Sequence, residues 1–140
     1  MTDIVDRKTR SRMMAGIRGT DTKPERLVRS WLHRQGLRFR LHKAGLPGRP
    51  DIVLARYKTA VFVHGCFWHR HPRCRYATTP ASNARFWAAK FQQNMTRDRR
   101  NAVELRKLGW KVRIIWECQV DDNHLARLVS RIKATPTVRD

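Results

Sequence analysis

Two cysteines and two histidines fall within nine residues of this chain, in Cys66-Phe-Trp-His-Arg-His-Pro-Arg-Cys74, and a third cysteine stands at position 118. Thiolates and imidazoles are the donors that a tetrahedral zinc ion takes, and Cys66, His71, Cys74 and Cys118 make a set of three sulfurs and one nitrogen. Four protein ligands leave no open position for a substrate, so a zinc held this way is structural and ties one loop to a distant segment. His71 is our choice of nitrogen donor, although spacing alone does not exclude His69. Three unrelated buried cysteines, the ordinary alternative, account poorly for this density. Three cysteines cannot all pair within one chain, which points away from a disulfide framework and towards a reducing compartment.

A second chemical signal is Pro50-Asp51, followed after a short connection by Phe62-Val63-His64. In nucleases of the restriction-endonuclease-like class a Pro-Asp opens one strand and an acidic-x-Lys triplet sits on the next, placing hard oxygen ligands and a base around one Mg²⁺. Here Phe-Val-His stands in place of that triplet, and an aspartate after proline is by itself more often a turn residue than a ligand. His64 and His69 flank Cys66, and either can take a proton from a water near neutral pH. Singly, each is more often a structural group or a phosphate contact than a base. Glu25 lies in Thr22-Lys-Pro-Glu25, a capping box, which accounts for it; a carboxylate on that first helical turn can also reach a metal site through water.

Phe67-Trp68 inside the polar cysteine-bounded loop, and Trp87 beyond it, add aromatic faces that can stack on bases or wedge between base pairs. For Trp87 core packing is an equal alternative. The setting is strongly basic: 31 Lys and Arg against 11 Asp and Glu give a formal net charge of +20 over 140 residues. Such a surface attracts polyanions, and because the charge is spread along the chain rather than gathered on one amphipathic helix, nucleic acid fits better than a membrane. No signal-peptide-like run and no stretch of about 20 apolar residues is present, so the expected location is the cytoplasm.

The elements that must position these groups follow from periodicity. Apolar residues make up 41% of the chain, enough for one domain with a core. Residues 1–20 read as a basic arm that orders on DNA, residues 21–134 as the domain and 135–140 as a polar tail. A helix begins at Thr22, carries Leu27, Val28, Trp31 and Leu32 on one stripe and stops at Gly36. Leu37–His42 alternates as a half-buried strand, and a turn-rich stretch leads to two central strands, Asp51–Ala55 and Thr59–Val63, joined by Arg56-Tyr-Lys58. Ser82 is placed to cap a long helix, in one piece or two, with Phe86, Trp87, Phe91, Met95, Ala102, Leu105 and Leu108, ending at Gly109. Trp110–Trp116 is then a strand parallel to the earlier one, because the connection is long and helical. A last helix starts at Asp121 or Asp122 and turns Leu125, Leu128, Val129 and Ile132 inward. The expected architecture is α/β, a mixed central sheet flanked by helices.

Taken together, Leu46-Pro-Gly-Arg-Pro-Asp51, Val63-His-Gly-Cys-Phe-Trp-His69, Arg97-Asp-Arg-Arg100 and Leu108-Gly-Trp-Lys-Val-Arg-Ile-Ile-Trp-Glu-Cys118 resemble the very short patch repair (Vsr) endonuclease family over residues 7–120. The resemblance implies a restriction-endonuclease-like fold with a structural zinc site, and a Mg²⁺-dependent DNA repair endonuclease. Its substrate would be duplex DNA with a T:G mismatch left by 5-methylcytosine deamination, nicked on the 5′ side of the mispaired T. It assigns Asp51 and the backbone carbonyl of Val63 to Mg²⁺, and His69 to the general base with support from His64 and Glu25. It gives Cys66, His71, Cys74 and Cys118 to Zn²⁺, and Phe67, Trp68 and Trp87 to a wedge beside the mismatch. It further implies a bacterial monomer, acting at the nucleoid, with mismatch-repair proteins as partners. Two departures stand out: Val63 replaces the usual Thr, which a carbonyl ligand tolerates, and the zinc loop carries one extra residue around Pro72-Arg73. The competing readings are a nuclease of the same fold with another DNA specificity, and a zinc-stabilised DNA-binding module without catalysis.

Overall fold

A computed structural model describes residues 22–137; the basic arm and the end of the polar tail lie outside the described residues. Helix α1 spans Lys23–Arg34, and its first turn is capped as expected, with the Glu25 amide donating to Thr22 Oγ1 at 3.3 Å. The other half of the capping box is not made. Glu25 is turned inward instead and is 2% exposed.

Strands β1 (Arg40–Leu41), β2 (Ile52–Leu54), β3 (Thr59–His64) and β4 (Lys111–Trp116) form one sheet in the order β1-β2-β3-β4. β2 is antiparallel to both β1 and β3, whereas β3 and β4 run parallel, with His64 opposite Trp116. The expected mixed α/β architecture and parallel crossover are both present. The crossover is helix α2, Ala84–Lys107, about 36 Å long and unbroken. Helix α3, Asp122–Ala134, follows β4 with Asp121 as its cap.

β2 and β3 read as near-continuous apolar runs because both faces of the sheet are covered. On one face Ile52, Leu54, Val61 and Ile115 pack with Val28 and Leu32 of α1 and with Leu125, Leu128, Val129 and Ile132 of α3. On the other, Val53 and Ala60 meet Leu105 of α2 and Trp110.

Two expectations are corrected. The strand foreseen over Leu37–His42 shrinks to two exposed residues, because His42 takes a left-handed backbone (φ 47°) that ends the extension. Leu37 nonetheless reaches the core. Ser82 does not cap α2: Asn83 precedes it, left-handed and without a side-chain cap bond. Along α2, Phe91 and Leu105 are buried and Phe86 is exposed, as is Leu108 just past its end.

Candidate active site and metal centres

Parallel pairing of β3 with β4 delivers both carboxyl ends to the same edge of the molecule, so the loop leaving His64 and the turn leaving Trp116 must meet. Glu117 joins them: its Oε1 accepts a 3.0 Å hydrogen bond from the Cys66 amide. This is why Cys118, distant in sequence, closes on the cysteine loop.

Donor atoms of Cys66, His71, Cys74 and Cys118 all lie within 4.8 Å of one another. Cys74 and Cys118 sulfurs are 3.9 Å apart, close to the ~3.8 Å expected for two sulfurs each about 2.3 Å from a tetrahedral zinc. His71 Nδ1 sits 3.3 Å from Cys118 Sγ, and its ring stacks on Trp116 at 4.2 Å. The sulfur cluster therefore takes His71 rather than His69. Burial raises the Cys66 thiol to about 12, a state that a bound cation reverses by favouring thiolate. Arg70 knits the loop from within: its guanidinium donates to the carbonyls of Phe67, Ala77 and Thr78 and lies 4.0 Å from the Phe91 ring.

A second cluster, Glu25, His42 and Asp51, again has its donor atoms within 4.8 Å. Helix α1, the end of β1 and the residue before β2 supply one group each. Asp51 is fixed by the Val63 amide, which donates to Oδ2 at 2.7 Å. Burial, helped by the neighbouring Glu25, raises the Asp51 carboxyl from 3.8 to about 6 against that hydrogen bond. Two carboxylates placed together away from water favour a proton or a cation between them.

His69, His64 and Asp98 form a third group, near enough for His69 to act electrostatically on Asp51. His64 is buried and its imidazole is lowered to about 3 by desolvation and by His69, so it stays neutral. Its ring stacks face to face on His69, with centroids 3.8 Å apart. His69 Nδ1 lies 2.6 Å from Asp98 Oδ2, a pairing that orients the ring and leaves Nε2 for another partner. Of the 11 acidic residues in this basic chain, Glu25, Asp51, Asp98 and Glu117 converge at this one edge. That concentration of carboxylates stands out in a chain of net charge +20.

Phe67, Trp68 and Trp87 are all half-buried and touch one another: Phe67 meets Trp68 at 5.0 Å and Trp87 at 5.7 Å, and Trp68 meets Trp87 at 5.5 Å. Neither pure core nor free surface describes them. Phe91 anchors the cluster from below, 5.2 Å from Phe67.

The sequence profile described as DNA mismatch endonuclease Vsr matches residues 2–75, the segment that holds Glu25, His42, Asp51 and the cysteine loop through Cys74. The DNA mismatch endonuclease Vsr of Escherichia coli (strain K12) is 47% identical, across 84% of this chain and 75% of its own length. The chain belongs to the Vsr family. Two further relatives are type II nicking enzymes: V.NmeAIP of Neisseria meningitidis serogroup A is 46% identical across 95% of this chain and 98% of its own. V.XorIIP of Xanthomonas oryzae pv. oryzae is 42% identical across 95% and 96%. The resemblance carried by the His-Gly-Cys-Phe-Trp-His run is thereby borne out. As a Vsr protein the chain is a DNA repair endonuclease, a hydrolase whose substrate is DNA.

Sequence reasoning gave no role to two residues of this Vsr site. His42 read only as the end of a strand, and no local spacing marks it. Asp98 had a usable signal: it is the sole acidic residue between Asp51 and Glu104.

Proposed function

We propose that this endonuclease nicks duplex DNA on the 5′ side of the mispaired T of a T:G mismatch, with Mg²⁺ at Asp51 and the Val63 carbonyl and a structural Zn²⁺ on Cys66, His71, Cys74 and Cys118. The observation that carries the reading is the meeting of Asp51, Glu25 and the His69–Asp98 pair at one edge, beside the Phe67–Trp68–Trp87 cluster. Mg²⁺ held there supplies charge stabilisation for the phosphate and the departing 3′-oxygen.

The protein's part is positional. Asp98 accepts from His69 Nδ1, which leaves the lone pair of Nε2 to take a proton from the attacking water. The water oxygen bonds to phosphorus as the bond to the 3′-oxygen breaks. His64, neutral and stacked on His69, restrains that ring. Glu25 holds negative charge beside Asp51. The aromatic cluster offers faces on which bases at an opened mismatch can stack.

With this reading goes a bacterial, cytoplasmic monomer that works at the nucleoid beside mismatch-repair proteins; no helix among the described residues is long and apolar enough to cross a membrane. End-labelled T:G and T:A duplexes, incubated with Mg²⁺ or with EDTA and mapped to the nucleotide, test the assignment. Expected is a single Mg²⁺-dependent nick 5′ to the mispaired T. Equal cutting of the T:A duplex would move the reading to a related nuclease of other specificity, and no cutting of either would leave a DNA-binding module.

A further inference from the structure

The two ligands that the proposed site would offer Mg²⁺, from Asp51 and Val63, are both oxygens, as is the carboxylate of Glu25 beside them. The third member of the Glu25–His42–Asp51 cluster is a nitrogen. His42 is held there by its backbone: the left-handed φ of 47° is stabilised by its own amide donating to the Asp51 carbonyl at 3.1 Å and by Arg49 Nε donating to its carbonyl at 3.3 Å.

His42 Nε2 and Glu25 Oε1 approach to 2.5 Å, yet they lack the alignment of a hydrogen bond, and both atoms are buried without a hydrogen-bond partner. Arg29 comes no nearer to Oε1 than 3.7 Å. Glu25 is thus almost fully buried with its oxygen aimed at an imidazole nitrogen and a neighbouring carboxylate. The two atoms are ion-pair partners of each other with no hydrogen bond to satisfy either, and a cation shared with Asp51 is a further partner that this donor set fits. Imidazole suits Mn²⁺ and later divalent ions far better than it suits Mg²⁺, which prefers oxygen and water.

We infer that His42 is a direct ligand in the active-site cluster, making Glu25, His42 and Asp51 a mixed nitrogen and carboxylate site that prefers Mn²⁺ to Mg²⁺. The inference rests on the proposed nuclease site and adds a donor to it.

The test uses the full chain loaded with zinc, so that added Mn²⁺ finds the sulfur cluster filled. Calorimetric titrations with Mn²⁺ and with Mg²⁺ are compared between wild type and His42→Gln, and electron spin-echo spectra of bound Mn²⁺ are examined for modulation from a coordinated imidazole nitrogen. Expected are a nitrogen signal in wild type that His42→Gln abolishes, and a loss of Mn²⁺ affinity of about ten-fold or more with Mg²⁺ affinity within about two-fold. Absence of the nitrogen signal from wild type, or its persistence in His42→Gln, overturns the inference. Should His42→Gln fail to fold, the wild-type spectrum before and after ¹⁵N labelling of histidine, read with His42→Asn, decides the same point. Asp51→Asn separates the two levels: if it abolishes nicking in Mg²⁺ while the nitrogen signal survives His42→Gln, the nuclease site stands and only the His42 ligand falls. If Asp51→Asn nicks normally, the site itself falls and the inference with it.

Discussion

The sulfur cluster and the carboxylate–imidazole cluster sit at the same edge of the sheet but are built in opposite ways. Three of the four sulfur-cluster donors come from nine consecutive residues, and the donor set is closed. The groups of the other cluster come from α1, the end of β1, the start of β2, the loop after β3 and α2, and no two of Glu25, His42, Asp51, His69 and Asp98 are sequence neighbours. With zinc bound as proposed, the first would clamp the loop carrying His69, Phe67 and Trp68. The second, in the proposed reading, would rely on that clamp to hold His69 and would share its cation with the phosphate and the attacking water. Rigidity comes from local ligands, whereas reactivity comes from charges that only the sheet brings together.

Removing a sulfur ligand should have the largest effect. Cys118→Ser is expected to lose stoichiometric zinc, lower the melting temperature by roughly 10 °C or more and abolish nicking, because the loop after β3 is no longer tied to β4. Metal analysis and calorimetry check it; a fully zinc-loaded, equally stable variant would contradict the clamp.

Asp51→Asn and Asp98→Asn should spare zinc and DNA binding. Each is expected to slow nicking by at least about a hundred-fold, Asp98 because His69 loses its orientation. Single-turnover rates on bound duplex measure this, and an Asp98→Asn enzyme at full rate would remove the pair from the chemistry.

Next in size is a pH effect. Asp51 moves from 3.8 in the unfolded chain to about 6 in the fold, so the fold favours its protonated form. Stability from this group is present below pH 4 and is lost as pH rises through 6, by roughly 3 kcal/mol at most. Without divalent ions, wild type should therefore lose stability relative to Asp51→Asn between pH 4 and 6.5, and added Mg²⁺ or Mn²⁺ should restore it. A pH-independent difference would show that Asp51 is not held as described.

The smallest change is expected at the aromatic cluster. Trp87→Ala should weaken binding to mismatched duplex by about 1–3 kcal/mol, with affinity for matched duplex altered less. Fluorescence anisotropy on both duplexes gives the difference, and equal losses would assign Trp87 to packing alone.

Legibility in the sequence tracked locality. The α1 cap at Thr22, the central strands, the parallel crossover and the inward face of α3 were all readable, since each rests on spacing within one segment or on the length of one connection. The cysteine loop was readable for the same reason. What escaped was set by φ at single residues or by contact across elements. His42 ends a strand through a left-handed turn that nothing in Arg40-Leu-His-Lys43 announces. Glu25 matched a capping box in sequence, yet its side chain is drawn inward to His42 and Asp51. Trp87 could not be assigned to core or surface because it belongs to a half-buried patch shared with a loop.

The sequence by itself determined that the chain is basic and α/β with a zinc-competent loop, because charge, period and short ligand spacing are properties of the chain, and its motifs carried the resemblance to the Vsr endonucleases. Tertiary structure alone decided that His71 joins the sulfurs while His69 turns to Asp98, and that Glu25, His42 and Asp51 share one pocket. Parallel pairing of β3 with β4 and antiparallel pairing of β1, β2 and β3 bring those side chains within a few ångströms, and no spacing along the chain encodes a distance through space.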